Sequence, residues 1–307
     1  MKTKRWLKYT VLFFIISSSL LYLLIYKVDP YGYFSKKDKY IYNLTHIDYP
    51  NIIHNKILMQ NDLYLLGSSR QMRINPLRVE EYSNKSVQCI AQMTSTLDDN
   101  LFLVKQIKAI NKNFIYSFDA FTLNNSRMKS NVVLKNRLQI YKNEFNSNKN
   151  IYFNLFDMDI LFRSIEHIYL KIKSKKYNYQ EVDENNKISF FNKIILNRTF
   201  SSLQNDEIIN LDFSGLFKHY KAYPDYKIIQ LAKLANKADI FVIYPKQAYY
   251  YTLFQKYEHI EKQYFHMIKV LVNNTDAKVV SFYDINDITR NQYNFDIHGW
   301  HFKPKIG

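Results

Sequence analysis

The feature that most constrains this chain is an uninterrupted apolar run near its N-terminus. Residues 9–26 carry no charge and follow a strongly basic stretch, MKTKRWLK, in residues 1–8. As a helix the run spans roughly 27 Å at about 1.5 Å per residue, close to the thickness of a bilayer's hydrocarbon core. The positive-inside rule then predicts a cytoplasmic N-terminus and an extracytoplasmic remainder. We expect residues 1–28 to form a cytoplasmic tip and a single-pass anchor in the inner membrane of the cell.

A cleaved signal peptide is the alternative interpretation of this segment, because such peptides also begin with a basic stretch and an apolar core. The three serines at 17–19 are small enough for a cleavage site. The apolar run continues beyond them, however, and no A-x-A-like site follows. We therefore favour an uncleaved anchor, which places the main domain in the periplasm or an equivalent extracytoplasmic space.

The formal charge of +16 raises the hypothesis of nucleic-acid binding, since basic domains attract phosphates. The lysines are spread along the chain among Asn, Ile and Tyr, and no nucleic-acid motif occurs. An extracytoplasmic domain also does not meet nucleic acid. We expect no nucleic-acid partner, and instead favour anionic neighbours such as phospholipid head groups or acidic glycans.

No metal or cofactor is predicted. Cys89 is the only cysteine, so neither an intrachain disulfide nor a cysteine-based zinc site is expected, and its strand-like context predicts burial. His298 and His301 are three positions apart, but the Gly-Trp pair between them disfavours a helix, and no third ligand is evident. No Walker or dinucleotide glycine motif is present.

Beyond the anchor, short apolar runs alternate with amphipathic stretches, which is typical of βαβ units and a mostly parallel sheet covered on both faces. We expect a juxtamembrane segment at 29–60, then one three-layer α/β/α domain at 61–307 with a helical insertion at about 125–225. The predicted strands are NDLYLLG, SVQCIAQM, NFIYSFDAF, ADIFVIYP and AKVVSFYDI. The predicted helices are NPLRVEEYS, TLDDNLFLVKQIKAINK, YKIIQLAKLANK and HIEKQYFHMIKVLVNN. A tyrosine-rich stretch, PKQAYYYTLFQKY, is either a sugar-stacking surface or the buried face of a helix.

A serine pair follows the first predicted strand, in the stretch DLYLLGSSRQMR. Active residues of parallel α/β sheets gather at the carboxyl ends of strands, which is where Ser68 and Ser69 lie. A serine nucleophile needs a histidine to take its proton and an acidic group to orient that histidine. The C-terminal stretch NFDIHGWHFKPKIG supplies Asp296, His298 and His301. The structural alternative for the serine pair is a plain turn with a helix cap.

These motifs resemble those of the SGNH family, also called GDSL-type esterases, and in particular a membrane-anchored bacterial subgroup. In that family a Gly-x-Ser block follows the first strand and a late block carries the acid and the base. LLGSSR resembles the first block, HFKPKIG resembles the subgroup's ending, and FIYSFDAFTLNN resembles its third block. The resemblance covers about residues 60–123 and 225–307, and it implies an SGNH or flavodoxin-like fold. Related sequences usually continue into a closing helix, so we expect a less well covered core near Gly307.

The resemblance implies Ser69, rather than Ser68, as the nucleophile, His301 as the general base and Asp296 as the acid that orients it. A second set is implied in oxyanion stabilisation or substrate binding: Ser68, Arg70, Thr94, Asp119, Asn124 and His298. Several of the implied residues have structural alternatives. His301 would be a histidine packed in an aromatic cluster, and Asp296 and His298 would solvate a loop. Arg70 would form an ion pair at the surface, and Asp119 would hold a loop by hydrogen bonds.

The family includes enzymes that acetylate or deacetylate exported polysaccharides. We therefore expect a serine esterase or O-acyltransferase acting on acetyl groups of cell-envelope polysaccharide, with the membrane, a glycan and an acyl-donating membrane protein as partners. An inactive SGNH-like scaffold that binds a glycan or a membrane assembly partner is the alternative. It is favoured by the spacing of Asp296, which is five positions before His301 and two before His298, so that neither pair makes Asp-x-x-His. The family's glycines of the second and third blocks are also not obvious here.

Overall fold

The computed structural model describes residues 2–28, 61–71, 74, 76–91, 95–126, 213–215, 217, 219–246, 248–291 and 294–295, together with five residues between 161 and 168. Within them the strands are β1 (Leu63–Leu66), β2 (Val87–Cys89), β3 (Asn113–Ser117), β4 (Ile240–Ile243) and β5 (Lys278–Ser281). The helices are α1 (Lys2–Val28), α2 (Pro76–Ser83), α3 (Leu97–Ala109), α4 (Asp225–Leu234), α5 (Ala248–Lys256), α6 (Glu258–Asn274) and α7 (Asp287–Arg290).

The N-terminal apolar run forms the long helix α1. Its segment Arg5–Val28 is long and apolar enough to cross a membrane, and only 6% of its most apolar window is buried inside the protein. Side chains such as Phe13, which is 67% exposed, would be costly to leave in water and suit a lipid environment. The expected juxtamembrane segment at 29–60 lies outside the described residues.

The five strands form one parallel sheet in the order β2-β1-β3-β4-β5, which confirms the prediction of a parallel α/β domain. Each strand lies inside one of the apolar runs that predicted it. The chain first adds β2 on one side of β1 and then adds β3, β4 and β5 on the other side. The topological switch point of the sheet is therefore between β1 and β3, where parallel α/β proteins bind ligands at the carboxyl ends of the strands.

Alternate residues of β1 belong to two different apolar clusters. Tyr64 and Leu66 lie in the larger cluster, which also contains buried residues of α3, α4 and α6. Leu63 and Leu65 lie in a smaller cluster with Cys89, whose predicted burial is confirmed. Because successive side chains of a strand point to opposite faces of the sheet, apolar side chains cover both faces at β1.

The tyrosine-rich stretch forms α5, and its apolar side is buried. Tyr250 and Phe254 both lie in the larger apolar cluster. The ring of Phe213 contacts them, with centroid distances of 5.8 Å to Tyr250 and 5.2 Å to Phe254. Of the two interpretations of this stretch, the buried face of a helix is confirmed.

The two flanks of the expected insertion are paired with each other. Asn124 forms an antiparallel bridge with Ala222, and the backbone N–H of Asn125 donates to the carbonyl of Lys221 at 2.8 Å. Most of residues 126–212 lie outside the described part of the chain. Because its two flanks are paired, this segment begins and ends at one place beside the carboxyl end of β3.

Candidate functional site

The serine turn, residues 67–71, follows β1 at the switch point and packs closely against β3. Gly67 has a φ of +133°, and a Cβ added to it would lie 2.6 Å from the Cβ of Ser117. Only glycine tolerates both this conformation and this approach. On the side of α3, Ser95 Oγ donates to the Gly67 carbonyl at 2.8 Å, and Asn100 Nδ2 donates to the same hydroxyl at 3.1 Å. The first residue of the turn is therefore held between a strand and a helix.

Ser68 is buried and hydrogen-bonded to a carboxylate at the end of β3. Its Oγ donates to Asp119 Oδ2 at 2.9 Å, and Ser117 Oγ donates to the same oxygen at 3.2 Å. The other carboxylate oxygen, Oδ1, accepts from the backbone N–H groups of Phe121 at 2.9 Å and Thr122 at 3.0 Å. The expectation that Asp119 holds a loop by hydrogen bonds is confirmed, and the same carboxylate also contacts the serine turn.

Arg70 follows Ser69 and also reaches Asp119. Its Nη1 lies 3.8 Å from Asp119 Oδ1, and the two side chains are 3% and 2% exposed. The expected ion pair of Arg70 thus exists. Its expected position at the surface is wrong, because the pairing of β1 with β3 places the serine turn next to the end of β3. Ser69 is half-buried, and its two neighbours are buried. We call the buried polar group formed by Ser68, Arg70, Ser117 and Asp119 the Asp119 cluster.

A buried lysine follows β4, on the far side of β3 from the serine turn. Lys246 is fully buried, and its Nζ lies over the rings of Phe254 at 4.2 Å, Tyr264 at 5.0 Å and Tyr283 at 5.4 Å from the centroids. Such ring faces attract a cation. The sequence reasoning missed this residue, and the only available signal was its place in YPK, directly after a predicted strand.

Charged side chains therefore follow three neighbouring strands at one edge of the sheet. Burial, and then the positive charge of Arg70, lower the pKa of Lys246 well below the ordinary value for a lysine, while the charge of Asp119 acts in the opposite direction. Two basic side chains thus accompany one carboxylate. Burial in this low-dielectric site thus disfavours the charged form of the Lys246 amine.

Asn124 is buried and holds the flanks of the expected insertion together. Its Oδ1 accepts from the N–H and the hydroxyl of Ser126, at 3.1 and 2.7 Å, and from the N–H of Lys221 at 3.3 Å. The carboxamide oxygen is therefore used inside the protein. The implied role in oxyanion stabilisation stays a prediction, and it falls to the carboxamide nitrogen, which is the donor end of the side chain.

The remaining site residues implied by the resemblance lie outside the described part of the chain: Thr94, Asp296, His298 and His301. The structure brings Ser68 and Arg70, the neighbours of Ser69, into contact with Asp119, which follows a different strand. The base and the acid of the implied triad stay predictions.

The last described residues connect the C-terminal stretch to the serine turn. Phe295 is buried in an apolar cluster with Val242 and Tyr244, at the carboxyl end of β4. The hydroxyl of Tyr244 donates to Gln71 Oε1 at 2.8 Å, and Gln71 closes the serine turn by donating its backbone N–H to the Ser68 carbonyl at 3.0 Å. The chain thus reaches the edge of the sheet that carries the serine turn one residue before Asp296.

The fold and this site define a parallel α/β domain with a serine turn and buried charged side chains at the carboxyl ends of its central strands. A scan against protein-family models found no matching family, and a search of the curated proteins found no match.

Proposed function

We propose that this protein is a membrane-anchored, extracytoplasmic serine esterase or O-acyltransferase acting on acetyl groups of cell-envelope polysaccharide. The observation that carries the proposal is that Phe295, at the start of the C-terminal stretch, lies near the serine turn at the carboxyl ends of the strands. Ser69 lies in the serine turn, and Phe295, directly before Asp296, shares an apolar cluster with Tyr244, which is hydrogen-bonded to Gln71 of that turn. A nucleophile and its base must come within hydrogen-bonding distance in the reacting complex, so this approach supports a serine mechanism.

We further propose a three-layer α/β/α arrangement of the SGNH or flavodoxin-like kind for the whole domain. The strand order supports it, because β2-β1-β3-β4-β5 is the flavodoxin-like order. Right-handed crossovers in this order put the helix after β1 on one face and the helix after β2 on the other. The two apolar clusters agree with that arrangement, since α2 contributes Val79 to the smaller one and α3 contributes Val104 to the larger one.

In the proposed mechanism the Ser69 hydroxyl oxygen attacks the acyl carbonyl while His301 accepts the hydroxyl proton. The ester C–O bond then breaks, His301 returns the proton to the departing sugar oxygen, and an acyl-Ser69 ester remains. Water or a second sugar hydroxyl attacks this ester, loses its proton to His301, and regenerates Ser69. Asp296 orients the imidazole. Backbone N–H groups of the serine turn, with Asn124 or Thr94, stabilise the oxyanion.

The anchor and the net charge support a location at the cell envelope. A helix that crosses the membrane with its basic end in the cytoplasm leaves the α/β domain outside. The formal charge of +16 favours contact with lipid head groups or acidic glycans. In the transferase version, a membrane protein supplies the acyl group. An alkaline phosphatase reporter fused after residue 307 is expected to be active, and a reporter active only in the cytoplasm would contradict this topology.

The function is tested by hydrolysis of p-nitrophenyl acetate by the purified full-length protein in detergent. We expect Ser69→Ala to lower kcat by about 10³-fold or more, as removal of a nucleophile does when the triad acts as a unit. Ser281→Ala is the matched control, because Ser281 ends β5 at the exposed edge of the same sheet. Equal rates for the wild-type and Ser69→Ala proteins would rule out this mechanism.

The two histidines are separated by the same assay. His301→Ala is expected to match the loss in Ser69→Ala, because His301 stands in the HFKP motif and Pro304 suits the first turn of a helix. His298, next to a flexible glycine, is less suited to hold a base, so His298→Ala is expected to keep most of the rate. The opposite pattern would reverse the assignment and leave the function standing.

An inactive scaffold is the second candidate. The four hydrogen bonds that Asp119 accepts favour it, because they give this carboxylate a structural role. A scaffold would bind acetylated polysaccharide without releasing acetate. Equal polysaccharide binding by the wild-type and Ser69→Ala proteins, with no acetate released by either, would support it over the enzyme.

A further inference from the structure

The carboxylate of Asp119 has no acceptor capacity left for a substrate. An ionised carboxylate offers about four lone-pair sites, two on each oxygen. Oδ2 accepts from the hydroxyls of Ser68 and Ser117, and Oδ1 accepts from the N–H groups of Phe121 and Thr122. Four donors within the protein thus fill four sites. Neither an imidazole nor a sugar hydroxyl can add to this set without displacing a donor.

The residues on both sides of Ser69 contact this one carboxylate. Ser68 Oγ is 2.9 Å from Oδ2, and Arg70 Nη1 is 3.8 Å from Oδ1. Both neighbours are buried, at 2% and 3% exposure, whereas Ser69 between them is half-buried. The side chains of Ser68 and Arg70 are held inside the protein. Ser69 is therefore the most exposed of the three residues.

We propose that Asp119 is the positioning residue for Ser69, acting through Ser68 and Arg70 rather than by contact with the substrate. This inference rests on the proposed nucleophilic role of Ser69. The carboxylate joins the end of β3 to the serine turn after β1, so it fixes the turn across the switch point. It is distinct from the substrate-binding or oxyanion role that the sequence motif implies for Asp119.

The backbone offers a direct measure of this positioning that needs no activity. The N–H of Gln71 donates to the Ser68 carbonyl at 3.0 Å and closes the turn. Its hydrogen–deuterium exchange reports how often the turn opens. A hydrogen bond to a charged acceptor is strong enough for its loss to change an opening equilibrium by about 10-fold or more.

The experiment compares hydrogen–deuterium exchange of the peptide containing Gln71 in full-length wild-type, Ser68→Ala and Ser117→Ala proteins. Exchange is expected to be about 10-fold faster in Ser68→Ala, which removes the turn's own bond to Asp119. The Ser117→Ala control loses a bond to the same oxygen from the strand side, so exchange there should match the wild type. Equal exchange in Ser68→Ala and the wild type would overturn the proposal.

Kinetics with p-nitrophenyl acetate separate positioning from general damage to the protein. We expect Ser68→Ala to lower kcat by about 10- to 100-fold with KM changed less than about two-fold, because a displaced nucleophile slows the chemical step. The conservative Asp119→Asn, which keeps one acceptor oxygen, should retain more activity than Asp119→Ala. A rise in the KM of Ser68→Ala with an unchanged kcat would show that this position contacts the substrate, and it would overturn the positioning role of Asp119. If the wild type hydrolyses no ester, the proposed function falls, and the exchange result alone decides whether Asp119 holds the turn.

Discussion

Two buried aspartates lie at opposite ends of the central strands, and they differ in what they hold. Asp239 precedes β4 at the amino end of the sheet and accepts from the N–H groups of Phe114 at 2.9 Å and Asn236 at 2.7 Å, with Lys108 Nζ at 2.5 Å. Asp119 follows β3 at the carboxyl end and contacts hydroxyl groups of two serines and a guanidinium. Both are essentially inaccessible to solvent. Burial and hydrogen bonding alone therefore do not mark a functional site.

The partners decide what each carboxylate does. At the amino end, Asp239 accepts hydrogen bonds from backbone N–H groups of a strand and a turn. Its ion pair lies at the opposite end of the sheet from the carboxyl ends of the strands, where parallel α/β proteins bind ligands. At the carboxyl end, Asp119 holds the turn that carries a half-buried serine at the switch point. We expect substitution of Asp239 to lower the free energy of unfolding and substitution of Asp119 to lower the rate, and separate measurements of unfolding and of kcat test this difference.

The largest effect on stability is expected for Asp239→Ala. It leaves two backbone donors and Lys108 without their buried acceptor, and loss of one partner of a buried pair costs about 3–5 kcal/mol in the free energy of unfolding. The kcat of the folded variant should stay within about two-fold of the wild type, because the contacts that Asp239 makes with described residues lie at the amino end of the sheet.

The matched control is Asp62→Ala, at the same end of the sheet. Asp62 is 51% exposed and pairs with Lys112, so its removal is expected to cost less than about 1 kcal/mol. Chemical denaturation measures both variants. A loss of kcat in Asp239→Ala as large as that in Asp119→Ala would remove the distinction between the two aspartates.

A smaller loss is expected for Gly67→Ala, at the start of the serine turn. The φ of +133° strains any other residue, and the new Cβ would meet Ser117 Cβ at 2.6 Å. Strain and overpacking each cost about 1–3 kcal/mol, so we expect a loss of about 3 kcal/mol together with a slower esterase rate.

Gly215→Ala is the control for this substitution, because a Cβ there meets nothing within 4 Å. Residues 213–215 are helical, and alanine favours a helix over glycine, so this substitution should leave the free energy of unfolding unchanged or raise it by up to about 1 kcal/mol. If both alanine variants unfold like the wild type, the close approach between the turn and β3 does not occur in solution.

The smallest effect, and the one of opposite sign, is expected for Lys246→Met. Folding lowers the pKa of Lys246, so between that value and the unfolded value near 10.5 the unfolded chain binds more protons. The free energy of unfolding of the wild type therefore rises with pH across this window. At pH values below the window, the folded protein carries the full cost of burying a charged amine. Methionine removes that cost. We expect the Tm of Lys246→Met to equal or exceed the wild-type value, with the difference largest at low pH and shrinking towards pH 10.

Lys262→Met controls for the loss of a positive charge, because Lys262 is 72% exposed. Its Tm should stay close to the wild type across the same pH window, because its ion pair with Glu258 is exposed to solvent. A Tm of Lys246→Met that falls below the wild type at low pH would mean that the contacts of the ammonium with the surrounding rings outweigh its desolvation.

The sheet was predictable because its signal is local. Runs such as LYLL and IFVI are apolar at every position, as strands covered on both faces are, and helical stretches of different period separate them. The pairing of β1 with both β2 and β3 was not visible in the same way. It is set by contacts between segments far apart in the chain, which no local pattern records.

The site was predictable only in part for the same reason. The residues of the GSSR motif stand out because they follow a strand, but burial of Arg70 depends on β3 lying beside β1. The setting of Lys246 requires rings from positions 254, 264 and 283, which only the folded chain brings together. Isolated lysines in a lysine-rich sequence carry no such information.

The nucleophilic role of Ser69 is tested by labelling the purified protein with a fluorophosphonate and mapping the modified residue by mass spectrometry. We expect modification of Ser69, no modification in Ser69→Ala, and slower modification of Ser69 in Ser68→Ala. Modification of Ser68 in place of Ser69, or undiminished labelling of Ser69→Ala, would show that Ser69 is not the nucleophile.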